Sequence, residues 1–205
     1  MRDVIVTKAL QQINEQGLKF TTAGLARKLG VSKRALYEYF NSKEDLLGAV
    51  FDLILNDLRQ QISRICYDEG LDPIEKLTAL MLASPKALGP LTEQVLNDVN
   101  RFMPNQWKKF EKYFEDKWEK VELVISQGVE KGLFRAVNLA ILQKIYMGTV
   151  EKLSDFNFLF QNNSTLKNAI TETAEILIYG IMAPDCRNTN PSSVSVPGQM
   201  QACAR

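Results

Sequence analysis

The chain has 205 residues, 45% of them hydrophobic and 24% charged, with a net charge of +1, which suits one ordinary globular domain or two small ones. It contains no histidine, and this excludes Ser-His-Asp and Cys-His catalysis, HExxH zinc sites and histidine-based pH switching. Cys66, Cys186 and Cys203 stand too far apart for a disulfide framework or a zinc spacing.

In chain order, Val6, Ala9, Leu10 and Ile13 recur at helical spacing and predict a first helix over 3–16, ended by Gly17. Leu25, Ala26 and Leu29 mark a short second helix, and Gly30 supplies the residue tolerant of positive φ where the chain must turn. Val31 plugs the angle. Ser32 is placed to cap a third helix whose Leu36 and Phe40 face inward, while Lys33, Arg34, Tyr37 and Tyr39 lie on or near its outer face. Ser42-Lys43-Glu44-Asp45 has the form of a capping box and opens a fourth helix. Its stripe of Leu46, Leu47, Val50, Leu53, Ile54, Leu58, Ile62 and Ile65 runs to about Tyr67, a span of roughly 37 Å at 1.5 Å per residue.

Asp72-Pro73 begins the next helix, with Ile74, Leu77, Leu80 and Met81 inward; Ser84-Pro85 and Gly89-Pro90 break it. A helix over 91–102 follows. After Pro104 comes a long helix with the stripe Trp107, Phe110, Phe114, Trp118, Val121, Val124, Ile125 and Gly128, closed by Gly132. Leu139, Leu142, Ile145, Tyr146, Val150 and Leu153 mark another, and Leu166, Ile170, Ala174, Leu177, Ile178 and Ile181 the last. From Pro184 onward little can be buried, so 184–205 is expected to be disordered. The pattern is all-α, with an N-terminal three-helix head over 1–45 and a helical body over 46–183.

Charge is unevenly spread. Residues 1–43 hold eight Lys/Arg against three acids, a net of +5, so the remainder carries −4 and the positive field is confined to the head. A helix fits the major groove, Lys and Arg neutralise phosphates or bond guanine edges, and Tyr hydroxyls bond phosphate oxygens. Those are the groups this face offers. No apolar run reaches the roughly 18–20 residues of a membrane span, and Met1-Arg2-Asp3-Val4 leads into an amphipathic pattern without a signal-peptide core. No membrane partner is expected, and the expected compartment is the cytoplasm.

Thr21-Thr22, Leu25-Ala26, Gly30-Val31-Ser32, Leu36-Tyr37, Phe40 and Ser42-Lys43-Glu44-Asp45-Leu46-Leu47, at their fixed offsets, resemble the tetracycline-repressor (TetR) family of bacterial transcription regulators. The close likeness covers roughly residues 3–50. It implies a helix-turn-helix head on a ligand-binding and dimerisation body, with a double-stranded DNA operator as partner. Carried onto matched positions, it puts Thr21 and Thr22 near the DNA backbone, Ser32 at the start of the recognition helix, and Tyr37, Tyr39 and Lys43 on phosphates. Lys33 and Arg34 are the candidates for base edges. Family members often have a small residue where Arg34 stands, and an aromatic near Ile13.

The last two helices carry a broad apolar surface from Tyr146, Val150, Leu153, Phe156, Phe160, Leu166, Ile170, Leu177, Ile178 and Ile181. Either one subunit buries it all or, as the resemblance implies, the two helices pair with their copies in a homodimer. Met81, Phe102, Trp107, Phe110, Phe114, Trp118 and Tyr146 are candidates for the small-molecule pocket that the resemblance implies, about half of them ordinary core. Asn97, Asn100, Arg101 and Gln106 are its candidate polar contacts or else plain surface. An apolar or aromatic effector fits such walls, and no cofactor or metal is expected. The expected function is a repressor that binds a palindromic operator as a homodimer and is released by its effector. The alternatives are an activator, an adaptor of the same fold acting through a protein partner, and a bundle enzyme, which the lack of histidine disfavours.

Overall fold

The computed structural model describes residues 1–86, 93–153 and 156–187. Among the described residues the regular elements are helices, with one isolated antiparallel bridge, Phe134 to Met182. The helices are α1 (Arg2–Gln16), α2 (Thr22–Leu29), α3 (Lys33–Tyr37), α4 (Lys43–Tyr67), α5 (Pro73–Leu82), α6 (Glu93–Phe102), α7 (Pro104–Glu130), α8 (Leu139–Leu153), α9 (Phe156–Gln161), α10 (Leu166–Ile181) and α11 (Pro184–Arg187). A 3-10 turn, Gly17–Lys19, joins α1 to α2.

Two compact units result: Met1–Gln60 with Ser84–Phe114, and Gln61–Ala83 with Glu115–Arg205. The division falls inside the long helices α4 and α7. In the first unit Ile5, Val6, Ala9, Leu10 and Ile13 of α1 are buried, together with Leu25, Leu36 and Phe40 and the α4 residues Leu46, Leu47, Val50 and Phe51. Each large side chain removed from water in this way contributes roughly 1.5–3 kcal/mol. In the second unit α10 packs against α5 and α8, burying Leu77, Leu80, Leu142, Ala174, Ile178 and Ile181.

Local signals set the helix ends. Gly30 is left-handed at φ 68°, and its N–H bonds back into α2. Asp72 caps α5 ahead of Pro73, and Glu75 returns a bond to the Asp72 N–H, giving a full capping box. At Ser42 the expected box forms by half: the hydroxyl accepts from the Asp45 N–H at 3.1 Å, but the Asp45 carboxylate reaches one residue further back, to the Asn41 N–H at 3.0 Å. The separate helix α9 and the 3-10 turn are elements that periodicity alone did not reveal. Part of the expected disordered tail is structured, since Pro184–Arg187 form a helical turn with Cys186 buried. Cys186 supplies an apolar anchor that the tail's polar composition concealed. Residues 188–205 of that tail, with Cys203, lie outside the described residues, as do Gly89, Pro90 and Leu91.

Candidate nucleic-acid interface

Each edge of the α2–α3 pair is fixed by a side-chain cap. Thr21 Oγ1 accepts from the Gly24 N–H and Ser32 Oγ from the Ala35 N–H, both at 3.0 Å; caps of this kind contribute about 1 kcal/mol each. With Leu36 buried beneath it, α3 turns Lys33, Arg34 and Tyr37 outward, and Tyr39 in the turn that follows is exposed beside them. Thr22 and Tyr37 bring their hydroxyls to 3.4 Å, so the start of α2 and the end of α3 share one face. The Lys33 ammonium stands 5.7 Å from the Tyr37 ring centroid, leaving its protons free to turn outward.

Lys43 is placed differently. Its ammonium donates to the Leu18 carbonyl oxygen at 2.6 Å and lies 4.8 Å from the centroid of the buried Phe20 ring. Partial burial lowers its pKa. The lysine therefore ties the start of α4 to the 3-10 turn ahead of α2, a contact across 25 residues of sequence. Behind the face, Lys28 of α2 bonds Glu15 of α1 at 2.6 Å, and this bond, with a second from Gln12, holds the Glu15 carboxyl below its usual pKa.

The seven aromatic and apolar pocket candidates separate. Phe102, Trp107, Phe110 and Phe114 belong to the first unit. There Phe110 is core, set edge-on against Phe51 at 5.7 Å, whereas Phe102 is 63% exposed beneath the Arg101 guanidinium. Trp107 donates its indole N–H to Glu111 near the surface, and Phe114 leans on Tyr113. These four are explained by core packing and surface contacts: α7 has several faces, and a list of large residues does not say which face each occupies. Asn97, Asn100 and Arg101 are exposed, and Gln106 is half-buried, its Oε1 sealed from solvent without a donor among the described residues.

Met81, Trp118 and Tyr146 do come together, in the second unit. Tyr146 donates its hydroxyl to the Met81 carbonyl oxygen, and its ring meets Trp118 edge-to-face at 5.7 Å. Burial pushes the Tyr146 pKa up to about 12, so it stays neutral. Beside them stands a residue that the sequence reading missed. Lys117 is 6% exposed, with its ammonium 5.7 Å from the Tyr146 ring centroid. The signal was present, because 117 falls on the same helical stripe as Phe110, Tyr113, Val121 and Val124, all buried.

Residues 5–50 match the family described as bacterial regulatory proteins, tetR family. Over 146 residues the chain is 30% identical to the HTH-type transcriptional repressor KstR2 of Mycolicibacterium smegmatis, covering 65% of this chain and 67% of that protein. The chain belongs to the TetR family. It is a DNA-binding transcriptional regulator of that family, and α2–α3 is its helix-turn-helix. A further relative, the uncharacterized HTH-type transcriptional regulator YvaF of Bacillus subtilis (strain 168), is 24% identical over 181 residues, 88% of this chain and 95% of that one. The fold matches the TetR family regulator PfmR from Thermus thermophilus with a TM-score of 0.65 at 22% identity, over 85% of this chain and 96% of that one.

In this TetR-family chain the candidate dimer residues also separate. Ile178 and Ile181 are buried inside the subunit, so its own core claims them, whereas Val150, Leu153, Ile170 and Leu177 are half-buried. Phe156 opens α9, with its side chain outside the described residues. The exposed apolar groups are others: Ile141 and Ile145 on α8, Phe158 and Phe160 on α9, and Ile176 and Tyr179 on α10. Gly148 and Gly180, one on each long helix, face open space at the Cβ position. Among the described residues no helix is long and apolar enough to cross a membrane.

Proposed function

We propose that the protein is a cytoplasmic repressor that occupies a palindromic operator as a homodimer and is released by a small apolar or aromatic effector. The observation that carries this reading is the exposed Lys33, Arg34, Tyr37 and Tyr39 face on a doubly capped helix-turn-helix. In it α3 enters the major groove, Lys33 and Arg34 reach base edges, and Tyr37, Tyr39 and the Thr21–Thr22 start of α2 hold phosphates. Lys43 acts chiefly by fixing the turn ahead of α2, and only its spare protons serve a phosphate. The Mycolicibacterium relative, a transcriptional repressor, supports repression.

Dimerisation through α8 and α10 is supported by their exposed isoleucines and by the two glycines, which let a second helix approach closely. Effector and DNA then compete through linkage, each weakening the other by one coupling free energy. Within the first unit α6 packs against the 3-10 turn beside α2. Ile176, 70% exposed on α10, is the residue with which to test the assembly. Ile176→Glu is expected to give monomers in analytical ultracentrifugation and to cost at least about 100-fold in operator affinity, the scale on which linked binding sites reinforce each other. A variant that stays dimeric with unchanged affinity would put the interface elsewhere.

A further inference from the structure

In the second unit a sealed hydrogen-bond donor lacks an acceptor, and the residue before it is a buried lysine. Lys117 is a buried cation, and among the described residues no carboxylate pairs with it; its one polar contact is the Tyr146 ring face. On the next residue, the Trp118 indole N–H is sealed from solvent and has no partner among the described residues. Tyr146 meets both groups with its ring and not with its oxygen: the Lys117 ammonium lies 5.7 Å from the ring centroid, the Trp118 ring stands edge-to-face at 5.7 Å, and the hydroxyl donates to the Met81 carbonyl. A folded chain seldom leaves such groups unmet, since a buried charge without a counter-ion and a buried donor without an acceptor are each costly. What complements an unmet donor beside a buried positive charge is an acceptor that carries negative charge.

We propose that Lys117 and Trp118 form the polar end of the effector site and that the effector is a monoanion, a carboxylate or a sulfonate, on an apolar or aromatic body. This rests on the reading of the protein as effector-responsive and names the chemical class of that effector. The Trp118 ring borders a cleft of about 470 Å³, lined also by Leu139, Ala140, Gln143, Glu115, Glu119 and Glu122. That volume suits a drug-sized body. The three glutamates of the lining repel negative charge held in the cleft itself, so the site selects a single anionic group placed at Lys117 and disfavours polyphosphates. The Trp118 ring, set edge-to-face on Tyr146, supplies the apolar wall on which an aromatic body stacks.

The test uses the full-length protein and two fluorescent probes of nearly the same shape: anilinonaphthalene sulfonate, a monoanion, and the uncharged N-phenylnaphthylamine. The wild type is expected to bind the sulfonate at least about tenfold more tightly. Lys117→Met, which keeps the stem and removes the charge, is expected to abolish that preference while still binding the neutral probe. Trp118→Phe keeps Lys117 and is expected to lose affinity for the sulfonate several-fold, with little change for the neutral probe, which checks the same site in a variant that retains the lysine. Equal binding of both probes by the wild type, or an undiminished preference in Lys117→Met, overturns the anion assignment and leaves an effector-responsive body standing. Binding of neither probe overturns it together with the effector reading.

Discussion

Lys117→Met is expected to raise the stability of the protein by about 2 kcal/mol at neutral pH. Burial lowers the Lys117 pKa from the usual 10.5 to about 8, and at 1.36 kcal/mol per pH unit this shift corresponds to a desolvation cost of about 3 kcal/mol. Contact with the Tyr146 ring offsets about 1 kcal/mol of that. Methionine matches the stem and fills the space without a charge. The pH dependence has a definite sign. Below pH 8 both folded and unfolded chains carry the proton, and the full cost is present. Between about 8 and 10.5 the folded protein sheds its proton first, so the wild type gains stability as pH rises. The advantage of the variant should therefore be constant below pH 8 and shrink above it, as read from chemical denaturation of both proteins from pH 7 to 10. A variant that is less stable at pH 7 would mean that the ammonium is solvated or paired.

Gly128→Val is expected to cost about 3 kcal/mol or more. Gly128 lies in α7, where a Cβ would stand 2.1 Å from Phe134 Cδ2 and 2.5 Å from Cε2. The ring cannot easily retreat, because Phe134 is 2% exposed and its segment is clipped on both sides. Arg135 N–H bonds the Ile181 carbonyl, and Ala183 N–H the Leu133 carbonyl, each at 2.8 Å. Overpacking of this kind typically costs 1–3 kcal/mol, and the branched side chain adds volume on the same face. Gly128→Ala recovers up to about 1 kcal/mol through helix propensity and should be milder. Pairing it with Phe134→Leu should restore part of the loss. Thermal melting of the three variants checks this, and unchanged melting in Gly128→Val would show that the Phe134 ring yields.

The head was legible because its rules are local. Gly30 and Ser32 act within three or four residues of themselves, and the stripe Val6, Ala9, Leu10, Leu25, Leu36 and Phe40 follows helical spacing. What the sequence did not show involves partners far away in the chain. Lys43 reads as a surface cation until the Leu18 carbonyl, 25 residues earlier, is brought beneath it. Tyr146 meets Met81 across 65 residues, and nothing near either predicts the bond. Lys117 was overlooked for another reason: its residue type says surface, its position on the stripe says core, and type was given the greater weight. Burial on α10 was hard to read for a similar reason. Ile176 and Ile178 differ by about 200° around a helix with 3.6 residues per turn, and apolarity alone does not say which of them the subunit keeps for itself.

The direct test is to incubate the purified protein with random duplex DNA, sequence the retained fragments, and repeat with Arg34→Ala. The account predicts an inverted repeat whose half-sites lie one helical turn, about 10 base pairs, or a multiple of it apart. In Arg34→Ala one base per half-site should lose its preference, at a cost of about 1–3 kcal/mol in affinity. Retention without any preferred sequence, or a preference that Arg34→Ala leaves unchanged at every base, would contradict it.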